Sequence, residues 1–150
     1  MPLRIRRLTA DDVDLMYALL RTFGEAFDEV DTYCSNQPNA VYLERLLGSD
    51  SFIAVAAMED ATVIGGIAAY ELRKFERQRS EIYIYDLAVA ETHRRRGVAT
   101  ALVNELKKIA ATRGAYVMFV QADVGDDPAI ALYTKLGIRE DVLHFDITSD

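Results

Sequence analysis

The stretch from Ile82 to Thr100, IYIYDLAVAETHRRRGVAT, holds the residues of this chain best suited to chemistry. Asp86 interrupts an apolar, aromatic run that reads as a strand. A carboxylate there costs free energy unless it is paired or put to use. It could take a proton from an amine or bind an ammonium. The alternative is an aspartate at a strand end, hydrogen-bonded to a neighbouring loop. After Val89 a turn carries Arg94, Arg95 and Arg96, and Gly97 opens a helix. The first amides of a helix, here those of Val98, Ala99 and Thr100, lack internal partners, and the helix dipole adds positive charge to them. Such an end suits a pyrophosphate, and glycine lets a ligand come close to the backbone. Charge and glycine alone fit an ordinary strand-to-helix turn with a solvated basic cluster equally well. No GxxxxGK[ST] occurs, and no GxGxxG opens a helix after a strand, which disfavours nucleotide hydrolysis and dinucleotide redox chemistry.

The elements that must position these residues follow from periodicity and punctuation. Residues 3–8 alternate as a short strand. Thr9 looks like an N-cap with Asp12 in the capping-box position, and Val13, Met16, Leu20, Phe23 and Phe27 mark the buried face of a first helix. Residues 28–37, DEVDTYCSNQ, read as a polar loop. Pro38 suits the first turn of a short helix that Gly48 closes. SFIAVAAM and TVIGGIAAYEL flank Glu59, Asp60 and Ala61 as a β-hairpin. EIYIYDLAV is a strand, Gly97 to Thr112 a long helix stopped by Gly114, and AYVMFVQA a strand. PAIALYTKL is a helix stopped by Gly137, and IREDVLHFDI reads as a last strand. Hairpins require antiparallel pairs and a strand–helix–strand crossover allows a parallel one. The fold class is therefore α/β, a central mixed sheet of six to seven strands flanked by four helices, in a single domain over residues 1–150. Strict alternation would put Glu81 and Tyr83 on the face opposite Asp86 unless a bulge intervenes.

Composition narrows the setting. The chain has 150 residues, 51 % apolar and 27 % charged, as in a soluble globular domain. No apolar run approaches a membrane span, and the N-terminus lacks the apolar core of a signal peptide. A single cysteine, Cys34, points to the reducing cytoplasm. The formal net charge of −7 disfavours nucleic acid and favours a cationic ligand weakly. His93 and His144 have no metal-ligand spacing, so no metal is expected.

Arg94-x-x-Gly97-x-Ala99 resembles the pyrophosphate signature of the GNAT acetyltransferases, and it lies where that superfamily places it, after a central strand and at the start of a long helix. AIALYTKLGI, residues 129–138, is similar to the later segment of that superfamily. The family often has an asparagine three residues before this alanine. Asp126 stands there instead, so the asparagine's role does not transfer. RSEIYIYDLAV, ETHRRRGVATAL, ADVGDDPAIALYTKLGIRE and HFDI resemble the aminoglycoside 3-N-acetyltransferases of the gentamicin-modifying type.

The resemblance implies direct acetyl transfer from acetyl-CoA to an amine, without a covalent enzyme intermediate. It implies that the strand of Asp86 splays from its neighbour, so that amides near Leu87, Ala88 and Val89 receive the pantetheine arm and the thioester oxygen. Tyr133 matches the family tyrosine that approaches the sulfur, and a phenol is protonated at neutral pH. Without the motif, Tyr133 would read as a helix tyrosine packed on the sheet. Arg94 to Thr100, Asp126 and Ala129 fall on the cofactor side. Acidic residues in the first loop, before the last helix and at the end would favour a cationic acceptor, with Asp123 and Asp146 joining Asp86 there. Two other readings stay open. One is a polyamine or other small-amine acetyltransferase, marked by a chain-length preference for linear amines. The other is a non-catalytic acetyl-CoA-binding module, marked by a Tyr133 far from the sulfur. The superfamily has room for two strands where this sequence has only IREDVLHFDI after Gly137, so a homodimer with that segment near the shared surface is expected, the alternative being a monomer whose edge its own acidic residues guard.

Overall fold

A computed structural model describes residues 2–150. It divides after Val120 into two compact units.

The first unit is a five-stranded sheet between two layers of helices. Its strands are β1 (Leu3–Arg7), β2 (Phe52–Glu59), β3 (Thr62–Arg73), β4 (Ser80–Val89) and β5 (Ala115–Val120). They lie side by side in chain order. Every pair is antiparallel except β4–β5, which is parallel. That crossover is made by α4 (Val98–Arg113), the only kind of connection that can carry the chain back to a parallel start. The helices α1 (Val13–Ala26), α2 (Val30–Cys34) and α3 (Ala40–Leu47) precede the hairpin.

Two apolar clusters hold the layers together, one on each face of the sheet. On one face Ile53, Val55, Ile67, Ala69, Ile82 and Ile84 pack against Val98, Leu102, Val103 and Leu106 of α4. On the other, Met16, Leu19 and Phe23 of α1 and Leu43 and Leu47 of α3 cover Phe52, Ala54, Ala56, Ala68 and Ala88. β2 is therefore buried on both sides, which is why its sequence is an unbroken apolar run. The small residues on the α1 face let that helix come close. A Cβ on Gly66 would stand 2.3 Å from Leu19 Cδ1.

Helix ends follow their chemistry with some differences. Asp12 reaches back to accept from the Thr9 amide at 2.8 Å and from Arg6 at 2.7 Å, but the helix itself starts at Val13, after a turn, rather than at Thr9. Asn39 caps α3, accepting from the Tyr42 amide, so Pro38 lies before the cap rather than in the first turn. Gly114 ends α4 in the left-handed conformation. The segment read as a polar loop contains α2, because Val30, Tyr33 and Cys34 at helical spacing pack toward α1.

The second unit, Gln121–Asp150, contains α5 (Asp127–Leu136). The expected last strand is absent. IREDVLHFDI has no ladder partners, and scattered apolar residues do not make a strand when no neighbour supplies the hydrogen bonds. The described residues thus form five strands and five helices, against the six to seven strands and four helices expected.

Candidate acetyl-transfer site

β4 does not run as a regular strand. Its register against β3 passes from Ala69–Ile84 to Ala68–Asp86, so Tyr85 and Asp86 together stand opposite Ala68. This extra residue is a β-bulge, and it reverses the alternation of the strand. Before it, Ile82 and Ile84 point to α4. After it, Leu87 and Val89 do. Asp86 is consequently carried to the α1 face, the face that Tyr83 and Glu81 also share. Glu81 is already engaged there, accepting from Tyr116 Oη at 2.7 Å and paired with Lys74 at 3.3 Å.

Asp86 is half-buried, and Tyr33 Oη donates to its Oδ2 at 2.8 Å. Burial pushes the carboxyl above its ordinary 3.8, the Tyr33 hydrogen bond draws it down, and the nearby Glu29 charge pushes it up, with a net rise. Burial first, then the bond to Asp86, raise the Tyr33 phenol well beyond its usual value, so it remains a donor. Tyr33 is fixed by Phe23 and Phe27, whose ring centroids lie 6.0 and 5.8 Å away, and Gln37 Nε2 donates to its carbonyl at 3.0 Å. Gly24 makes this approach of α2 to α1 possible, since a Cβ there would lie 3.2 Å from Tyr33 Cβ. Sequence reasoning missed Tyr33. The helical spacing of Val30, Tyr33 and Cys34 was the available signal.

β4 outruns its parallel neighbour. The β4–β5 pairing stops at Ile84–Val120, while β4 continues to Val89. The side chains of Leu87 and Val89 stay anchored in the α4 core, and Ala88 in the α1 core. Tyr85 to Val89 are thus held from one side by β3 and lie beyond the β5 ladder on the other.

The basic turn continues directly from this end. Ala90 N donates to Ile64 O at 2.7 Å, a short 3₁₀ turn covers Glu91–His93, and Arg94 Nε donates back to Val89 O at 3.1 Å. Arg96 lies 3.9 Å and His93 3.2 Å from Glu59, so two of the basic side chains lean on one carboxylate. Arg95 takes a positive φ of 63°, and Gly97 one of 78°. No side chain caps α4 at its N-terminus. No side chain therefore takes up the amides of Val98, Ala99 and Thr100, which follow closely on Arg94, Arg95 and Arg96, and nothing lies within 4 Å of a Cβ built on Gly97. An open, uncapped end of a 16-residue helix is suited to a diphosphate.

In the second unit, Asp126 Oδ1 accepts from the Ala129 amide at 3.4 Å and so caps α5, a use of both residues within the helix start. Tyr133 lies on α5, its carbonyl accepting from the Gly137 amide. Asp123 O accepts from the Asp126 amide in the preceding turn, and Asp146 pairs with His144 at 2.8 Å. Among the described residues, no group of three or more His, Cys, Asp or Glu is placed to hold a metal ion. No helix of the described residues is long and apolar enough to cross a membrane. An open depression of about 660 Å³, lined by Asp14, Tyr17, Arg21, Gln37, Pro38 and Asn39, shares no residue with Asp86, the bulge or the Gly97 turn.

Residues 14–138 match the acetyltransferase (GNAT) family. The chain belongs to that family. Its fold agrees, a mixed α/β sheet with helices on both faces. Among solved structures it is similar to an aminoglycoside acetyltransferase from an uncultured soil metagenomic sample, at 60% identity, a TM-score of 0.98 and full coverage of both chains. A second such enzyme from an uncultured soil sample, in complex with sisomicin, is 29% identical with a TM-score of 0.90, over 99% of this chain and 97% of that one. A curated relative, an N-alpha-acetyltransferase of Sulfurisphaera tokodaii, is 28% identical over 144 residues, 91% of this chain and 80% of the relative. GNAT acetyltransferases use acetyl-CoA, and this chain is an acetyl-CoA-dependent acetyltransferase acting on amines.

Proposed function

We propose that the protein acetylates an aminoglycoside, at the 3-amino group of the deoxystreptamine ring, by direct transfer from acetyl-CoA and without a covalent enzyme intermediate. The observation that carries the reading is Asp86, a half-buried carboxylate turned out by the bulge and held by Tyr33 on the part of β4 that extends past the end of β5. The 60% identity to an aminoglycoside acetyltransferase over the whole chain supports the choice of acceptor.

The residues fit acetyl-CoA. Val98, Ala99 and Thr100, with Arg94, Arg95, Arg96 and Gly97, would hold its pyrophosphate, and Leu87, Ala88 and Val89 its pantetheine arm. Bound acetyl-CoA supplies an activated acyl carbon and a thiol leaving group. Asp86 binds the acceptor ammonium and takes its proton, directly or through one water, which frees the nitrogen lone pair. Amides of Leu87 and Val89 donate to the thioester oxygen as negative charge grows there. Tyr133 donates a proton to the departing sulfur, a role that rests on the AIALYTKLGI segment. On the family resemblance, Asp123 and Asp146 would supply further negative charge for a polycationic acceptor. The family match crosses the boundary at Val120, which supports one catalytic domain over both units. Ile138, Val142, Leu143, Phe145 and Ile147 are exposed, and such an apolar segment supports a homodimer that covers it.

Thiol release from acetyl-CoA in the presence of aminoglycosides, linear polyamines and N-terminal peptides tests the reading. Turnover with aminoglycosides and NMR of a 3-N-acetyl product are expected. Turnover confined to polyamines or peptides overturns it.

A further inference from the structure

A row of aromatic side chains crosses the sheet beside Asp86. The registers Phe52–Tyr70, Tyr70–Tyr83 and Tyr83–Phe119 place one ring on each of four neighbouring strands. Phe52 and Tyr70 meet at 5.3 Å between centroids, and Tyr83 and Phe119 stack at 4.7 Å with an interplanar angle of 9°. The bulge adds Tyr85 to the same face, its ring edge-on to Tyr70 at 5.8 Å and to Tyr83 at 5.7 Å. Exposure along this surface is uneven: Phe52 is 4% exposed and Tyr70 37%, Tyr83 and Phe119 are partly buried, and Tyr85 is 61% exposed. The next row on that face runs Ala54, Ala68, Asp86, two small residues and a carboxylate.

We propose that Tyr70, Tyr83 and Tyr85 form the stacking surface for a sugar ring of the acceptor, with Asp86 receiving the ammonium that the ring carries. This deepens the aminoglycoside reading and rests on it. Cross-strand aromatic pairs stabilise sheets, and that accounts for the Phe52–Tyr70 and Tyr83–Phe119 contacts. It does not account for Tyr85, which the bulge turns outward and which buries little. A pyranose ring has one face of C–H groups and a rim of hydroxyls. The C–H face lies on an aromatic surface, while phenol hydroxyls can bond the rim. Successive residues on one face of a strand are about 7 Å apart, so a ring resting on Tyr85 and Tyr83 places its substituents within reach of the neighbouring row. The tyrosine faces also attract a cation approaching Asp86. A linear polyamine satisfies the carboxylate but has no flat face to offer the rings. The arrangement therefore selects ring-borne amines over acyclic ones.

Calorimetric binding of sisomicin and of spermidine to the wild type, Tyr85→Ala and Tyr85→Phe tests the proposal, with steady-state acetylation of both measured in parallel. Tyr85→Ala is expected to weaken sisomicin binding about tenfold and to raise its KM by a similar factor, with a change of less than about threefold for spermidine. Tyr85→Phe, which keeps the ring, should stay within about threefold of wild type for both. Thermal melts of the variants should coincide with wild type, since Tyr85 is largely exposed. The proposal is overturned if Tyr85→Ala binds sisomicin like wild type, if it loses spermidine equally, or if the wild type fails to bind sisomicin. It is also overturned if Tyr85→Ala changes the sedimentation coefficient, which would mean that a second copy covers the rings. If the wild type binds sisomicin but does not acetylate it, the aminoglycoside reaction falls and the stacking surface stands or falls on the binding constants.

Discussion

Replacing Tyr33 with phenylalanine removes one hydroxyl and, with it, the 2.8 Å hydrogen bond to Asp86 Oδ2. The ring remains to pack on Phe23 and Phe27, so folding should survive. A hydrogen bond to a charged acceptor contributes about 1.5–3 kcal/mol. Asp86 is half-buried rather than sealed, which places the loss at the lower end of that range. The bond favours the carboxylate over the acid, so its removal shifts Asp86 toward the protonated form, the same direction in which burial already pushes it. If Asp86 accepts the amine proton, activity requires its ionised form. On the acidic side of the profile kcat/KM should then fall by about tenfold, while the high-pH plateau changes little. A pH series of kcat/KM for wild type and Tyr33→Phe, with acetyl-CoA saturating, measures this. An acid limb at the same pH in both proteins refutes the coupling. A uniform loss across all pH values would assign Tyr33 to acceptor binding or folding instead.

Asp86→Asn keeps shape but can neither take a proton nor offset an ammonium; kcat/KM should drop at least about a hundredfold with acetyl-CoA affinity retained, as read by calorimetry. Turnover at the wild-type rate across pH 6–9 would make Asp86 structural. Gly97→Asp places a Cβ at φ 78° and an anion against the uncapped α4 amides, so CoA binding should weaken by more than about tenfold in a folded protein. Unchanged CoA affinity would remove the pyrophosphate from this turn. Asp12 is buried and, although burial opposes it, the Arg6 and Thr9 bonds hold its carboxyl below the usual 3.8. Its contribution is therefore present at neutral pH and is lost as pH falls through the folded value. Asp12→Asn should cost about 1–3 kcal/mol at pH 7 and less near pH 3, measured by urea unfolding at both. An equal cost at both values would contradict the ionised pairing.

Local patterns in the chain specified the local structure well. Glycine punctuation and apolar spacing placed α4 between Gly97 and Gly114 and β4 over EIYIYDLAV, because a helix stop or a half-buried strand is decided by residues a few positions apart. The carboxylate that interrupts the apolar, aromatic run after Ile82 marked Asp86, and the arginine–glycine turn marked the helix end, for the same reason. Where a partner distant in sequence was needed, the pattern misled or fell silent. IREDVLHFDI reads as a last strand, yet pairing decides strands, and no ladder forms over those residues. α2 is too short and too polar to declare itself and is held by packing on α1.

The site was decided at the same level. Alternation put Tyr83 and Glu81 opposite Asp86. Only the register against β3 reveals that Tyr85 is an inserted residue, and that insertion turns Asp86 to the face where Tyr33, 53 residues earlier, can reach it. A bulge depends on how two strands match in length and twist, a property of the pair that neither strand's sequence contains. The residue types able to do chemistry were thus written locally. Which face they share, and what stands beside them, came from the tertiary pairing, since hydrogen-bond register is settled by the whole sheet and its covering helices together.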